Sequence, residues 1–192
     1  MSPLEDRPVV VLDANVLFPF RKRDILLRMH HAGLFQARWT ERILDEWTRS
    51  LLERKPHLEP SVRSQRRAMS EHFGDSLVGG YEPLIGTLDL PDAGDRHVLA
   101  AAIRCGARHI VTDNLDDFPA GILSGFDIEA IDADAFLSRT FDRHPSEALA
   151  VLRTLRRAYR NPPFSPHEFI LDLTAKGLPK LAALAERHRD SL

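Results

Sequence analysis

The chain has 192 residues, 43% of them hydrophobic, which suits one globular domain or one domain with an appendage. Its formal net charge of −2 at pH 7 is not that of a generic basic protein that coats nucleic acid. Its single cysteine, Cys105, excludes a disulfide within the chain. No run of about 18 apolar residues is present, so no membrane span is predicted. Residues 1–8 lack the basic start and apolar stretch of a secretory signal, so we expect a cytoplasmic protein.

The first half of the chain alternates a strand-like run with amphipathic helical segments. The predicted elements are a strand at 9–12 and helices at 23–31, 40–54 and 61–73. The strand is a run of three valines and a leucine that ends at Asp13, which is typical of a buried strand. Thr40 is the predicted N-cap of the second helix, and Pro56 ends it.

The second half contains two further strand-like runs and a helical tail. The predicted elements are a helix at 95–105, strands at 109–112 and 128–131, and helices at 146–160, 166–176 and 179–188. Gly106 is the predicted C-terminal cap of the first of these helices. Strands alternating with helices predict an α/β fold with a mainly parallel sheet. Because the composition changes after Arg143, we expect an α/β domain over residues 1–142 and a helical C-terminal extension over residues 143–192.

Asp13 follows directly after the first predicted strand. In open α/β sheets, ligands bind outside the carboxyl ends of the strands, so this position favours a functional site. An aspartate at the start of a loop also commonly caps the next turn. The position of Asp13 alone leaves both roles open.

The second predicted strand also ends in polar residues. Thr112, Asp113 and Asn114 follow it, with Asp116 and Asp117 close behind. If the two strands are parallel neighbours, their carboxyl ends converge, and the acids would raise one another's pKa unless a cation is present. Either these acids splay into solvent, as in many surface turns, or a metal ion holds them together.

Asp95 lies in line with the apolar stripe of its own predicted helix, since apolar residues follow it at i+3, i+4, i+7 and i+8. An acid at this position either caps the helix or points into a site. Asp92 could take the capping role, which favours the site for Asp95. Periodicity does not single out Glu46, because Glu41 and Asp45 flank the same apolar stripe of the preceding helix.

Carboxylate oxygens are hard ligands that suit Mg²⁺ or Mn²⁺. The sequence holds no His or Cys pair with the spacing of zinc ligands. About four carboxylates without a histidine fit metal-assisted hydrolysis of phosphodiesters. A nucleophile elbow, a phosphate-binding loop and a glycine-rich dinucleotide turn are all missing from the sequence. Cys105, at the apolar end of a helix, is expected to be buried rather than nucleophilic.

Four segments resemble the motifs of PIN domains, in the family's order, over about residues 9–132. The segments are Val11–Leu17 with the opening Asp-x-Asn/Ser motif, Ile43–Trp47, Asp92–Ala102, and Ile110–Pro119 with the closing Thr-x-Asn/Asp-x-x-Asp-Phe stretch. The resemblance implies a three-layer α/β/α sandwich with a central, mainly parallel sheet. It also implies a ribonuclease that depends on Mg²⁺ or Mn²⁺.

The resemblance and the residues around the motifs together lead us to expect roles for individual residues. The expected catalytic acids are Asp13, Glu46, Asp95 and Asp117. Among them, the expected metal ligands are Asp13, Asp95 and Asp117. The residues expected to orient ligands or water behind them are Asn15, Thr112, Asp113 and Asn114. The arginines predicted to contact the RNA backbone, with solvated surface charge as the alternative for each, are Arg21, Arg23 and Arg96. Asn114 stands where many members have aspartate, which weakens one direct ligand.

Bacterial PIN proteins of this size often resemble VapC-type toxins, which a VapB-type antitoxin holds inactive and which often pair with themselves. The stretch from residue 160 through residue 179 is similar to the tail of longer VapC-like members. The resemblance therefore implies an RNA substrate, with transfer RNA as the class that the family suggests. It also implies a cognate antitoxin and a homodimer as partners.

Two alternatives stay open. One is a non-catalytic RNA- or protein-binding module on a degenerate PIN scaffold, motivated by Asn114 and the acidic net charge. The other is a small-molecule phosphatase with Asp13 as its nucleophile. Such enzymes typically carry a second aspartate two residues later, where this chain has Asn15.

Overall fold

The computed structural model describes residues 7–192, so most of the polar N-terminal segment considered above lies outside the described residues. The described chain forms two compact units. The first runs to Pro19 and resumes over Gln36–Ile131, and the second comprises Phe20–Phe35 and Asp132–Leu192. The predicted domain boundary after residue 142 stays a prediction. No helix in residues 7–192 has the length and apolar character needed to cross a membrane.

The first unit is built on a parallel sheet, which has four strands within the described residues. The strands are β1 (Val9–Leu12), β2 (Gln36–Arg38), β3 (His109–Val111) and β4 (Glu129–Ile131). Their order is β2-β1-β3-β4, and every pairing is parallel. The predicted α/β class with a parallel central sheet is confirmed. Because β2 and β3 lie on opposite sides of β1, the strand order reverses there, which is the position where open α/β sheets bind ligands.

The strands differ in how well their sequences predict them. In β1, Val10, Val11 and Leu12 are fully buried, as a central parallel strand requires. The edge strand β2 was not among the predicted elements. Only Ala37 in it is apolar, and it is a strand because its backbone pairs with β1.

Eleven α-helices lie within the described residues. They are α1 (Ala14–Leu17), α2 (Phe20–His31), α3 (Glu41–Arg54), α4 (Glu59–His72), α5 (Glu82–Ile85), α6 (Arg96–Cys105), α7 (Ala120–Leu123), α8 (Ala133–Arg143), α9 (Pro145–Ala158), α10 (Pro166–Ala175) and α11 (Pro179–Glu186). Helices α1, α3, α4, α5, α6 and α7 belong to the first unit, and the other five belong to the second.

Capping residues define the start of α3 and the end of α6, the two helices that carry Glu46 and His97. The Thr40 hydroxyl accepts a hydrogen bond from the backbone N–H of Ile43 at 3.1 Å, so the predicted start of α3 is confirmed. Gly106 ends α6 with φ of 65°, a left-handed conformation that favours glycine. A short 3-10 helix, Ala93–Asp95, precedes α6, which packs against β1 and β3.

The second unit is a helical bundle. Its core includes Phe35 and Phe136, which meet edge to face at 4.8 Å between ring centroids. Asp134 is buried, and its carboxylate accepts hydrogen bonds from the backbone N–H groups of Lys180 and Leu181 at the start of α11. Helix α8 was not among the predicted elements, although Asp132 caps it.

Candidate active site

The polar ends of β1 and β3 meet at the reversal of strand order. Leu12 pairs with Val111, and the backbone N–H of Asp13 donates to the carbonyl oxygen of Val111 at 3.1 Å. Asp13 and Thr112, each the residue after its strand, therefore lie side by side. The expected convergence of the two strand ends is observed, because the strands are parallel neighbours.

Asp13 takes the capping role considered from the sequence, and its functional role stays a prediction. Its Oδ1 caps α1 by accepting from the backbone N–H of Ala14 at 2.6 Å. It also lines the pocket described below, although only 5% of its surface is exposed. Burial raises the pKa of Asp13 and Glu46 adds to this, whereas the hydrogen bonds from Thr112 and Ala14 and the charge of His97 oppose it. The buried carboxylate thus lacks full compensation by the protein's own groups.

Asn15 and Thr112 fix the orientation of the Asp13 carboxylate. The Asn15 amide nitrogen donates to Asp13 Oδ2 at 2.6 Å and to the Thr112 hydroxyl at 2.8 Å. The Thr112 hydroxyl donates to the same Asp13 oxygen at 2.8 Å. Asp113 is exposed, and its backbone N–H donates to the Asn15 amide oxygen at 3.0 Å. This network gives Asn15 and Thr112 direct bonds to Asp13 and engages Asp113 through its backbone.

Three aspartates converge a short distance along the same unit. One carboxylate oxygen from each of Asp92, Asp95 and Asp117 lies within 4.8 Å of the other two. Asp92 caps the 3-10 helix by accepting from the backbone N–H of Gly94 at 2.7 Å, whereas Asp95 makes no side-chain cap for α6. Asp92 therefore takes the capping role, as expected, and the Asp95 side chain does not cap the helix. Sequence reasoning had not placed Asp92 in the cluster itself.

The pKa of Asp95 is raised from its usual value to about 7. Partial burial is the largest cause, and Asp13, Asp117 and Asp92 add to it. The raised pKa means that burial and the neighbouring carboxylates disfavour the ionised form of Asp95. A bound cation would reverse this effect by favouring the ionised carboxylates.

Asn114 acts on Asp117. The Asn114 amide nitrogen donates to Asp117 Oδ2, and its backbone N–H donates to the Thr112 hydroxyl at 3.1 Å. Asn114 therefore connects the Asp13–Thr112 network to the aspartate cluster. In this arrangement it orients a carboxylate, as expected for a residue behind the ligands.

Glu46 projects from α3 into the same pocket, and two residues hold its carboxylate. His97 Nε2 and Arg42 Nε each lie 3.1 Å from Glu46 Oε1. Partial burial acts to raise the pKa of Glu46, but the hydrogen bonds and charges of His97 and Arg42 outweigh it and lower the pKa. Arg42 also donates to the Gly94 carbonyl at 3.2 Å, which connects α3 to the turn before Asp95.

His97 was missed from the sequence. It is 1% exposed and lies on α6, two residues after Asp95. Nothing in the periodicity of α6 distinguishes it from a residue of the packed core. Its contact with Glu46, 51 positions earlier in the chain, becomes visible only in the fold.

A single pocket joins most of these groups. Its volume is about 320 Å³, near the lower end of the range for small-ligand sites. Its lining residues are Asp13, Ala14, Asn15, Phe18, Glu46, Trp47, Ser50, Arg54, Asp95 and Asn114. Three predicted site residues contact the lining without belonging to it: Thr112 bonds to Asp13, Asp117 to Asn114, and the Asp113 backbone to Asn15. Arg96 does not line the pocket and pairs with Asp89 at 3.1 Å.

Two predicted RNA contacts require correction. Arg21 and Arg23 are buried, with 9% and 2% of their surfaces exposed. Arg21 Nε pairs with Asp172 at 2.6 Å, and its guanidinium lies 4.0 Å from the centroid of the Tyr159 ring. Burial lowers the pKa of Arg23 to about 10, with Asp24 opposing the change. The structure therefore does not support either arginine as a contact to an RNA backbone, because little of either residue is exposed.

The donor set fits a hard divalent cation. Carboxylate oxygens supply the ligands that Mg²⁺ and Mn²⁺ prefer. Burial, with a contribution from neighbouring carboxylates, raises the pKa of both Asp13 and Asp95, and a bound cation would oppose this effect. Asp95 and Asp117 are close enough to share one ion, with Asp13 beside them. No zinc-like set of His and Cys residues occurs among the described residues.

Comparisons with known proteins agree with this geometry. The PIN domain family matches residues 9–116, and the VapC50 C-terminal domain family matches residues 133–187. A protein of Mycobacterium tuberculosis (strain ATCC 25618 / H37Rv) named "Putative ribonuclease VapC50" is 41% identical over 108 residues, which cover 56% of this chain and 63% of that protein. The alignment thus spans less than two thirds of that relative's length. No solved structure matches the chain.

Proposed function

We propose, from the premise that the chain belongs to the PIN domain family, that it is an endoribonuclease dependent on Mg²⁺ or Mn²⁺. The resemblance of the four motifs to PIN domains is confirmed by the match over residues 9–116. That match contains Asp13, Glu46 and Asp95 and ends one residue before Asp117. The single observation that carries the proposal is that Asp13, Glu46 and Asp95 line one pocket, with a carboxylate oxygen of Asp117 within 4.8 Å of one from Asp95.

In this proposal Asp13, Asp95 and Asp117 would hold the metal, which would activate water for attack and stabilise negative charge on the phosphate. Asn15 and Thr112 keep the Asp13 carboxylate in one orientation, since three of its hydrogen bonds come from Asn15, Thr112 and Ala14. Asn114 does the same for Asp117. Ligands that are already oriented need less reorganisation when they bind.

Glu46 has a separate role as the fourth catalytic acid. Because His97 and Arg42 lower its pKa, it stays ionised at neutral pH. An ionised carboxylate in the pocket can accept a proton from an attacking water, which is the role of a general base. We assign this role to Glu46 rather than to Asp95, whose raised pKa leaves it partly protonated without metal.

We also propose that the chain is the toxin of a toxin–antitoxin pair. The support is the match of residues 133–187 to the VapC50 C-terminal domain and the identity to a protein named as a ribonuclease. The proposal includes a VapB-type antitoxin, pairing with itself and transfer RNA as a substrate class. Growth arrest on expression that is relieved by Asp13→Asn would support the toxin role, and unaffected growth would contradict it.

The test of the nuclease is cleavage of a structured RNA with Mn²⁺ by the natural chain, Asp13→Asn and Asp95→Asn. Loss of residues that only support ligands costs roughly 10- to 100-fold, so loss of a ligand should cost at least about 100-fold. The control is Asp142→Asn, an exposed aspartate in α8, which should cleave normally. Full activity in both site variants, with retained melting temperature, would exclude the assignment.

The same experiment separates the alternatives. A folded chain that neither binds Mn²⁺ nor cleaves RNA would favour a non-catalytic binding module. Phosphoryl labelling of Asp13 by a phosphate donor would favour the phosphatase. Asn15 argues against the phosphatase, because its amide is fully engaged with Asp13, Thr112 and Asp113.

A further inference from the structure

The active-site pocket has a second wall that the metal chemistry does not use. This wall is formed by Phe18, Trp47, Ser50 and Arg54. It is apolar and cationic, whereas the other charged residues that line the pocket, Asp13, Glu46 and Asp95, are acidic and form the acidic wall. Phe18 follows α1 directly and lies five positions after Asp13, so the two walls are close in sequence.

Helix α3 connects the two walls. Glu46, Ser50 and Arg54 are four residues apart, so they lie along one stripe of the helix. With a rise of about 1.5 Å per residue, this stripe extends roughly 12 Å from the catalytic acid to the cation. A bound ligand with its reacting group at Glu46 therefore reaches Arg54 only if it extends along the helix.

Arg54 differs from the other arginines around it. Arg42 pairs with Glu46, Arg63 with Glu59, and Arg66 with Glu41 and Asp45. The Arg54 side chain is exposed and forms no salt bridge within residues 7–192. Its guanidinium instead lies 5.0 Å from the centroid of the Phe18 ring. A guanidinium layered on an aromatic ring presents a flat, charged surface at the pocket mouth.

We propose that the wall of Phe18 and Arg54 is a subsite that binds one unpaired nucleotide next to the scissile phosphate. This inference rests on the proposed nuclease function and assigns two residues that position its substrate. Aromatic rings and guanidinium planes stack on bases, and an exposed arginine contacts phosphate. A base paired in a duplex is already stacked on its neighbours and does not present its face to a pocket of this size.

The chemistry of the two walls is complementary to a nucleotide. The acidic wall repels the sugar–phosphate backbone except where metal neutralises it, and Arg54 is the unpaired cation that lines the pocket. A phosphate at Arg54 and the reacting phosphate at the metal fix the direction of the strand. The base between them stacks on the layer formed by the Phe18 ring and the Arg54 guanidinium, and Trp47 and Ser50 line the pocket beside it.

The test measures binding of two labelled 12-nucleotide single strands to the Asp95→Asn chain, which does not cleave them. One strand is a mixed-sequence RNA and the other has the same backbone with abasic sites throughout. Stacking on one aromatic residue should make the first bind at least about 5-fold more tightly. Phe18→Leu keeps apolar volume but removes the ring, so it should bring this ratio close to one.

Arg54→Ala provides a second, independent readout. The slope of the logarithm of affinity against the logarithm of salt concentration should fall by about 0.7, the value for one phosphate contact on a single strand. The matched control is Arg49→Ala, which removes the same charge from an exposed position of α3 outside the pocket. Arg49→Ala should leave the slope unchanged.

The subsite would be contradicted if the abasic strand bound as tightly as the base-containing strand, or if neither strand bound measurably. It would also be contradicted if a 12-base-pair duplex RNA bound more tightly than the single strand. Equal effects of Arg54→Ala and Arg49→Ala on the salt slope would contradict it as well. The melting temperature shows whether Phe18→Leu is folded. If Phe18→Leu does not fold, the salt slope of Arg54→Ala tests the subsite instead. Cleavage by the natural chain with an unchanged KM in both variants would contradict the subsite alone, whereas no cleavage by the natural chain would contradict the nuclease.

Discussion

Carboxylates in the two units of this chain are treated in opposite ways. In the second unit, Asp172 pairs with Arg21, and Asp134 accepts from two backbone N–H groups. In the first unit, Asp92, Asp95 and Asp117 converge on one another. The first arrangement satisfies each acid within the fold, whereas the second leaves negative charge that an added cation can neutralise.

This contrast shows how structural acids can be told from functional ones. A buried carboxylate that meets donors stabilises a fold, because its charge is compensated. Carboxylates that meet each other raise the free energy of the folded state unless a ligand arrives. Changing the acids of the second unit should therefore alter the free energy of unfolding, and changing those of the first unit should alter ion binding.

The largest expected effect is in the second unit. Arg21→Ala leaves Asp172 without its cation and removes the contact with Tyr159. Removing one partner of a buried ion pair costs about 3–5 kcal/mol in the free energy of unfolding. In a chain of this length that is roughly 6–20 °C in Tm. Thermal melting measures it, and the Mn²⁺ affinity of the folded variant should not change.

The control for this prediction is Arg63→Ala, which breaks the exposed pair with Glu59. An exposed pair within one helix contributes about 0.5 kcal/mol or less. Similar small losses in both variants would remove the distinction between satisfied buried acids and surface ion pairs.

The next effect concerns the link between His97 and Glu46. His97→Ala removes the 3.1 Å contact that holds the Glu46 carboxylate, so the cleavage rate should fall by about 10- to 100-fold. His97→Gln keeps a donor and should recover part of the rate. Steady-state kinetics should assign the loss to kcat, since His97 does not line the pocket. If His97→Ala lowered the melting temperature but not the cleavage rate, His97 would have only a packing role.

The smallest effect is a pH-dependent gain in stability. Because the pKa of Asp95 is raised to about 7 in the fold, ionising it destabilises the metal-free chain above that pH, and the penalty disappears as pH falls toward the unfolded value of 3.8. Asp95→Asn should therefore stabilise the chain at pH 8 in EDTA. Asp95 is partly exposed, so screening reduces the gain to about 1–2 kcal/mol.

Melting curves at pH 8 and pH 5 measure this gain, which should shrink at the lower pH. Mn²⁺ at pH 8 should raise the Tm of the natural chain and not that of Asp95→Asn. Asp142→Asn should change stability by less than about 0.5 kcal/mol at either pH. A loss of stability in Asp95→Asn at pH 8 without metal would contradict the uncompensated cluster.

The sequence predicted those parts of the site that depend on local pattern. Asp13 after a buried strand and Asp95 ahead of an apolar stripe both follow from periodicity, and the fold places them together. The capping role of Asp92 was also predicted from its position before the helix. Most helix and strand positions in the first unit were predicted for the same reason.

The parts that were missed depend on distant partners. The strand β2 exists through backbone pairing, and His97 acquires its partner from another helix. Arg21 was expected on the surface, but Asp172 lies 151 positions later in the chain. No local pattern reports such a contact, so the burial of a charge cannot be predicted from the residues around it.

Crystals of the chain soaked in Mn²⁺ and measured for anomalous scattering offer the most direct test of the acidic cluster. We expect a peak in the pocket with carboxylate oxygens of Asp95 and Asp117 at about 2.0–2.5 Å, close to Asp13, and no peak in crystals of Asp95→Asn. An empty pocket at saturating Mn²⁺ in the natural chain would contradict the proposed metal site.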